Sequence, residues 1–169
     1  MEKCHFFREE VDLLRHRLSI KGIKPIPSKV DVIMRWLPPK NISELRSFMG
    51  VVSYYRKFIP SFAMIAHPLF KSLKKGATFF MREEGNRAFK ELKWKSIEAP
   101  ILSLPDFKKG LLIKTDASRK GIGGVLMQLD EDGIEHPLHF ISRTLNKAEG
   151  NYSVMDLEAL TAFYYIKKI

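Results

Sequence analysis

This chain of 169 residues has one cysteine, Cys4. A single thiol excludes an internal disulfide and suits a reducing compartment, and no partner for a catalytic thiol accompanies it. Long apolar runs are missing too. None approaches the roughly 18 residues needed to cross a bilayer, so no membrane partner is expected. The start, Met1-Glu2-Lys3-Cys4-His5, is charged and leads into no apolar segment, which predicts no secretory signal and an intracellular protein. His16, His67, His136 and His139 lack zinc-like spacing, and neither an internal repeat nor a low-complexity tract occurs.

Acidic residues are scarce beside basic ones, 19 Asp and Glu against 29 Lys and Arg, for a formal charge of +10. The imbalance is local. Residues 1–105 hold 20 Lys and Arg against 10 Asp and Glu, whereas residues 106–169 hold 9 of each. A basic part joined to a neutral part suggests a region that grips a polyanion and feeds a metal-dependent region. A merely soluble basic protein would carry the same charge.

The apolar pattern divides at about the same place. Residues 5–23 read as a strand or hairpin ending at Gly22, and Pro25 and Pro27 then hold the backbone extended. Ser28 is the expected N-cap of a helix with Val30, Ile33, Met34 and Leu37 inward, stopped by Pro38 and Pro39. A second helix follows Asn41 or Ser43, with Leu45, Phe48, Met49, Val52 and Tyr55 at helical spacing, and Pro60 ends it. A third starts at Ser61 and carries Phe62, Ile65, Ala66, Leu69, Phe70 and Leu73 to Gly76, with Pro68 expected to kink or split it. Residues 83–98 form a fourth. Beyond Pro105 the period changes to 2, and residues 110–116, 122–129 and 136–142 read as three antiparallel strands, with Asp130 to Gly133 as the second turn. Ser153 and Asp156 approximate a capping box for a last helix with Leu157, Leu160, Thr161 and Tyr164 inward.

Leu111 to Leu126 holds the most specific pattern: an apolar strand, Asp116, a turn, and a strand bearing Gly121, Gly123 and Gly124. An Asp on a strand end has its oxygens fixed by the sheet and open to a substrate, as a metal ligand requires. It also starts turns. The glycines keep the second strand free of bulk where another backbone could approach. Glu158, on the last helix beside its inward stripe, is read either as a partner ligand or as an ordinary surface glutamate.

Several motifs together resemble an internal segment of the pol polyprotein of gypsy-type LTR retrotransposons, from the end of reverse transcriptase into ribonuclease H. Lys3-Cys4-His5-Phe6-Phe7 and Leu14-Arg15-His16 resemble the last strands of the palm, although the family's usual Leu-Gly-His has Arg15 at its centre. Trp36-Leu37-Pro38-Pro39-Lys40, Leu45 to Gly50 and Tyr54-Tyr55-Arg56-Lys57-Phe58-Ile59 resemble the thumb. Ala66-His67-Pro68-Leu69 and Ala88 to Lys93 continue it into the connecting region, and Thr115-Asp116-Ala117-Ser118, Gly121-Ile122-Gly123 and Ser142 to Glu149 resemble the start of ribonuclease H.

The resemblance implies an α+β fold: a helical thumb-like bundle followed by a partial ribonuclease H-like domain of three antiparallel strands and one helix. Its divisions would be 1–25, the end of the palm; 26–78, the thumb-like bundle; 79–105, a connecting helix and linker; and 106–169, a truncated ribonuclease H-like domain. It implies Asp116 and Glu158 as catalytic residues and Mg²⁺ ligands, the first two of four carboxylates, with the later two expected beyond Ile169. The polymerase motif Tyr-x-Asp-Asp is absent. The expected cofactor is Mg²⁺, and the expected partners are an RNA–DNA hybrid or template–primer duplex and the remainder of the polyprotein. Arg46, Arg56, Lys57, Lys71, Lys74 and Lys75 are the candidates for phosphate contact. The competing reading is a decayed or domesticated nucleic-acid-binding protein without enzymatic activity.

Overall fold

The computed structural model describes residues 7–74, 79 and 81–168. The proposed palm residues 3–6, Gly76 and Lys75 lie outside them. A meander opens the described chain: β1 (Glu10–Leu13), β2 (His16–Ser19) and β3 (Gly22–Pro25), antiparallel in that order. Leu13 faces His16 across β1 and β2, so Leu14 and Arg15 form a two-residue turn, and both have positive φ, 46° and 62°. That turn type matches strand twist but favours glycine or asparagine, so two bulky residues here are strained. At Gly22, φ is 127° and an added Cβ would lie 2.2 Å from the Leu102 carbonyl oxygen. Only glycine lets Leu102 lie close enough to exchange backbone hydrogen bonds with Ile23, at 2.7 and 2.9 Å.

The first helix, α1 (Pro27–Arg35), begins two residues earlier than the Ser28 cap implies. Ile26 takes the cap position without a side-chain bond, and Pro27 takes the first turn, where its missing N–H is no loss. It also ends earlier, and Leu37 is exposed instead of joining the inward stripe, because Leu37 precedes Pro38 and is steered out of helical conformation. In α2 (Ile42–Tyr54) the cap is reciprocal. Asn41 Oδ1 accepts from the Glu44 backbone N–H at 2.9 Å, and the Glu44 carboxylate accepts from the Lys40 N–H at 2.7 Å. A single 3-10 turn, Arg56–Phe58, leads to α3 (Phe62–Ser72), and α4 (Glu83–Ile97) follows. Pro68 does not divide α3, which runs as one helix through it.

These helices share one core. Leu45, Phe48 and Val52 from α2, Phe62, Ala66 and Leu69 from α3, and Phe89 and Leu92 from α4 are all buried, with Phe48 and Phe89 ring centroids 4.5 Å apart. Each of the larger of these side chains contributes about 1.5–3 kcal/mol of apolar burial.

The second sheet, β4 (Leu112–Ser118), β5 (Gly121–Leu129) and β6 (Glu135–Thr144), is antiparallel in chain order, and α5 (Val154–Ile166) packs against it. Asp130 closes the β5–β6 turn, its carboxylate accepting from the N–H groups of Asp132 and Ile134. The α5 capping box is complete, because Ser153 Oγ accepts from the Asp156 N–H while the Asp156 carboxylate accepts from the Ser153 N–H. The glycines of β5 sort the sheet's two faces. A Cβ on Gly124 would meet the Tyr165 ring of α5, whereas one on Gly121 or Gly123 would meet Met64 of α3. At Gly124 and Gly121 the nearest atom would be a backbone carbonyl oxygen, that of Lys114 at 2.3 Å and of Arg143 at 2.7 Å, so the close backbone approach that the sequence pointed to is present at both, with side chains crowding in behind it.

The α3 face of the sheet joins the helical core. Phe140 packs against that core, the buried Ser142 hydroxyl accepts from the Ala63 N–H at 2.9 Å, and the Arg56 guanidinium donates to the Ser142 carbonyl. On the other face Ile122, Leu157, Thr161 and Tyr165 are buried, and the Tyr165 hydroxyl donates to the Ile141 carbonyl at 2.6 Å. The α+β architecture and the three strands with one helix stand as the sequence implied, with a three-stranded meander added in front.

Candidate functional site

Asp116 stands on β4, the strand at one edge of the second sheet, and is exposed. Its cross-strand partner is Gly123, so its side chain shares the face of Gly123 and Ser142, the face that α3 meets. Beside it a cavity of about 190 Å³ opens between the sheet and the start of α3, with Pro60 and Ser61 on one wall and Lys114, Val125 and Phe140 on the other. The carboxylate thus lies where the basic helical part meets the sheet.

Glu158 is exposed in the first half of α5. The residue of β4 that shares the face of Gly124, and so of α5, is Thr115. Strand alternation therefore puts Asp116 and α5 on opposite faces, and Glu158 is not among the residues lining the Asp116 cavity. A cation touching both carboxylates would have to sit at the open edge or end of β4. Their oxygens are the hard donors Mg²⁺ takes, but two carboxylates are few. Among the described residues no group of three or more His, Cys, Asp or Glu is placed to hold a metal. Asp156, two positions before Glu158, is occupied by the helix cap.

The basic candidates fall into separate places. Arg46 is exposed on α2. Arg56 and Lys57 lie on the 3-10 turn next to β6, with Arg56 tied to the Ser142 carbonyl and Lys57 half-buried over the Phe58 ring. Lys71 is exposed in the last turn of α3 and Lys74 just past its end, about 15 Å from the helix start by helical rise. Lys75 lies outside the described residues. Among the described residues, no carboxylate forms an ion pair with Arg46, Arg56, Lys57, Lys71 or Lys74.

Sequence reasoning passed over the anchoring of the β1–β2 turn. Tyr54 and Tyr55 donate their hydroxyls to the carbonyls of Leu14 and Arg15, the latter at 3.4 Å, and His16 stacks on Tyr54 with centroids 5.2 Å apart. Both tyrosines hold the hairpin to α2, and Tyr55 is buried there. The adjacent tyrosines were the only signal, and neither tyrosine's partner can be read without the fold.

Residues 81–169 match the family described as the RNase H-like domain found in reverse transcriptase, a span that takes in α4 as well as the second sheet. Among curated relatives, the retrovirus-related Pol polyprotein from transposon 297 of Drosophila melanogaster is 43% identical over 168 residues, covering 99% of this chain and 15% of the relative. The transposon Tf2-3 polyprotein of Schizosaccharomyces pombe is 36% identical over 165 residues, covering 98% of this chain and 12% of the relative. The chain thus spans about a seventh or less of the length of these relatives. The fold is similar to part of the foamy viral protease-reverse transcriptase. In its complex with dsDNA that protein matches with a TM-score of 0.83 and 23% identity over 99% of this chain and 35% of the other. In its complex with an RNA/DNA hybrid the TM-score is 0.82 and the identity 24%, over 99% of this chain and 23% of the other. Among the described residues no helix is long and apolar enough to cross a membrane.

Proposed function

Because the chain belongs to the RNase H-like domain family found in reverse transcriptase, we propose that it works as part of a retrotransposon reverse transcriptase and ribonuclease H. The helical part holds an RNA–DNA hybrid or template–primer duplex by its phosphates, and the second sheet presents the hybrid to a metal-dependent site. The division into palm end (1–25), thumb-like bundle (26–78), connection (79–105) and ribonuclease H-like part (106–169) belongs to this reading. The observation that carries it is the position of Asp116, exposed on an edge strand beside a cavity whose other wall is the start of α3.

In this reading Asp116 and Glu158 are two ligands of a Mg²⁺ site at the edge of β4, and further carboxylates come from other parts of a longer polyprotein. Mg²⁺ held there would supply Lewis-acid activation of a water and stabilisation of the leaving oxygen of a phosphodiester. The chain's own contribution is to fix Asp116 on a rigid strand and to hold the duplex near it. Arg46, Arg56, Lys57, Lys71, Lys74 and Lys75 supply sequence-independent charge. An A-like hybrid is recognised by shape and backbone, which suits a module with no base-reading helix. The place of action is intracellular: the cytoplasm, the nucleus or a virus-like particle.

Two measurements test this. The 169-residue chain should bind hybrid weakly and without sequence preference, with affinity falling steeply between about 50 and 200 mM salt. Replacing Lys71, Lys74 and Lys75 together with alanine should flatten that slope. A longer polypeptide that includes the downstream carboxylates should cleave hybrid with Mg²⁺, and Asp116→Asn should abolish cleavage. Binding retained with no cleavage in the longer form favours a nucleic-acid-binding role alone. Robust cleavage by the 169 residues alone would show that two carboxylates suffice.

A further inference from the structure

One margin of the second sheet is left open. β4 stands there, and among the described residues no strand or bridge lies on its outer side. The opposite margin, β6, is covered by α3, by the Arg56–Phe58 turn and by Ser103, whose N–H donates to the Pro137 carbonyl at 2.8 Å. An open edge offers its backbone groups to another strand, and folded chains guard long edges with proline, a bulge or charge. β4 has seven residues and no proline, and the sheet's bulge lies between β5 and β6. Its middle, Lys114-Thr115-Asp116, is exposed. Charge is the only guard left.

That charge is self-complementary. The Lys114 carbonyl oxygen points at β5, where it would lie 2.3 Å from a Cβ on Gly124. Backbone groups of successive strand residues point to opposite sides, so the N–H and C=O of Thr115 point outward from the sheet. An identical strand running the other way can exchange both bonds with Thr115 about a two-fold axis. That register sets Lys114 of each copy directly opposite Asp116 of the other, on the same face of the sheet. Lys114 also meets Glu135 at 2.6 Å, and its side chain keeps 54% of its surface exposed. The charges that repel an arbitrary strand find their opposites in a second copy.

The helix over that edge carries a matching face. α5 packs on β4 and β5 with Leu157, Thr161 and Tyr165 inward. Met155, Ala159, Ala162, Phe163 and Ile166 are exposed at spacings of three and four, a second apolar stripe on the same helix. A helix apolar on both sides calls for cover on both. Neighbouring strands lie about 4.8 Å apart, so two helices seated on the β4–β5 pairs come to about 10 Å across the axis, the spacing of packed helices. The small Ala159 and Ala162 suit that approach.

We propose that β4 and α5 form a self-association surface, on which two copies of this chain pair their β4 strands antiparallel about Thr115 into a six-stranded sheet and lay the α5 stripes side by side. One strand edge and one helix face cover less than the roughly 800 Å² per partner of a standard interface, so the dimer is weak and comes apart on dilution. Pairing occupies the open edge where Asp116 and Glu158 would share a cation, so the dimer is a different state from the one that acts on hybrid. The proposal stands on the edge and the stripe and does not depend on the hybrid-binding reading.

The test is sedimentation velocity of the full chain from about 1 to 200 µM at low salt, where a weak dimer grows in with concentration. Lys114→Asp or Asp116→Lys sets like charges face to face and should raise the dissociation constant about tenfold or more. Both changes together exchange the charges and should restore the dimer. Thr115→Pro removes only an outward N–H, so it should abolish the dimer and keep the melting midpoint of the dilute chain. Ile166→Asp should weaken the dimer, while Trp94→Ala, an exposed ring on α4, should behave as the parent. A chain that stays monomeric to about 200 µM overturns the proposal and leaves the edge to another part of the polyprotein. A dimer indifferent to Lys114→Asp and Thr115→Pro, or one that the paired charge exchange fails to restore, also overturns it and places the contact elsewhere.

Discussion

The helices from Pro27 to Ile97 and the second sheet with α5 use their apolar residues differently. In the helices, Phe48, Phe58, Phe62, Leu69 and Leu92 are sealed within 1% of full burial. In α5, Leu157, Thr161 and Tyr165 turn inward, but Met155, Phe163 and Ile166 remain 80%, 64% and 71% exposed. The helical part closes a core mostly with its own residues, joined by Leu102 and by Phe140 from β6. The sheet is covered on one face by α5 and on the other by α3, so part of its order is lent by the helical part. The polar chemistry follows the same division: the exposed carboxylates Asp116 and Glu158 sit on the less closed part, and most of the unpaired cations sit on the closed one.

The sharpest way to break this contrast is to remove an aromatic ring from each part. Phe48→Ala should cost about 3–5 kcal/mol in denaturant unfolding, the range for an emptied aromatic core site. Phe163→Ala should change stability by less than about 0.5 kcal/mol, as surface substitutions do. Equal losses would mean that the α5 outer face is packed in solution. Next in size is the joint between the parts. Ser142→Ala leaves the Ala63 N–H without its acceptor and should cost about 1–3 kcal/mol. It should also separate the unfolding of the sheet, followed by Trp-free probes such as Tyr165, from that of the helices. One coincident transition of unchanged midpoint would show that the joint carries little.

Much of this contrast is legible in the amino-acid order. The change of period after Pro105, the Asn41 cap and the Ser153–Asp156 box each depend on residues within four positions of one another, and all appear as expected. What escapes depends on distant partners. Arg56 reads as a free phosphate ligand until Ser142 arrives from β6, and Gly22 reads as a turn until Leu102 pairs beside it. The candidate site is legible as a pair of residue types but not as a geometry. Alternation along β4 is visible in sequence, yet which face α5 will choose is decided by Tyr165 filling the space over Gly124.

Smaller effects sharpen the comparison at its edges. Arg15 adopts φ 62° without being glycine, so Arg15→Gly should stabilise the hairpin by up to about 1 kcal/mol, offset in part by the lost contact over Tyr54. A loss of stability in thermal melts would show that the ring contact outweighs the strain. The smallest effect concerns pH. The Arg143 guanidinium, bonded at 2.6 and 2.8 Å, holds the Glu149 carboxyl below its ordinary 4.5, helped by the Asn146 N–H. A carboxyl lowered on folding stabilises above its unfolded value and loses that contribution as pH falls through the folded one. Stability should therefore decline below about pH 4.5, and Glu149→Gln should be less stable near neutrality but flatter in that interval. An unaltered acid limb in Glu149→Gln would assign the decline to other carboxylates.

The bond from the Ala63 N–H to the Ser142 hydroxyl makes one amide a clock for the whole joint. Ala63 sits in the first turn of α3, where backbone N–H groups have no helical partner and would ordinarily exchange with solvent quickly. Its protection depends on a side chain of the sheet, so deuterium can enter only when α3 lifts from β6. The exchange rate of that single proton therefore reports how often the helical part and the sheet come apart, and a duplex spanning both should slow it.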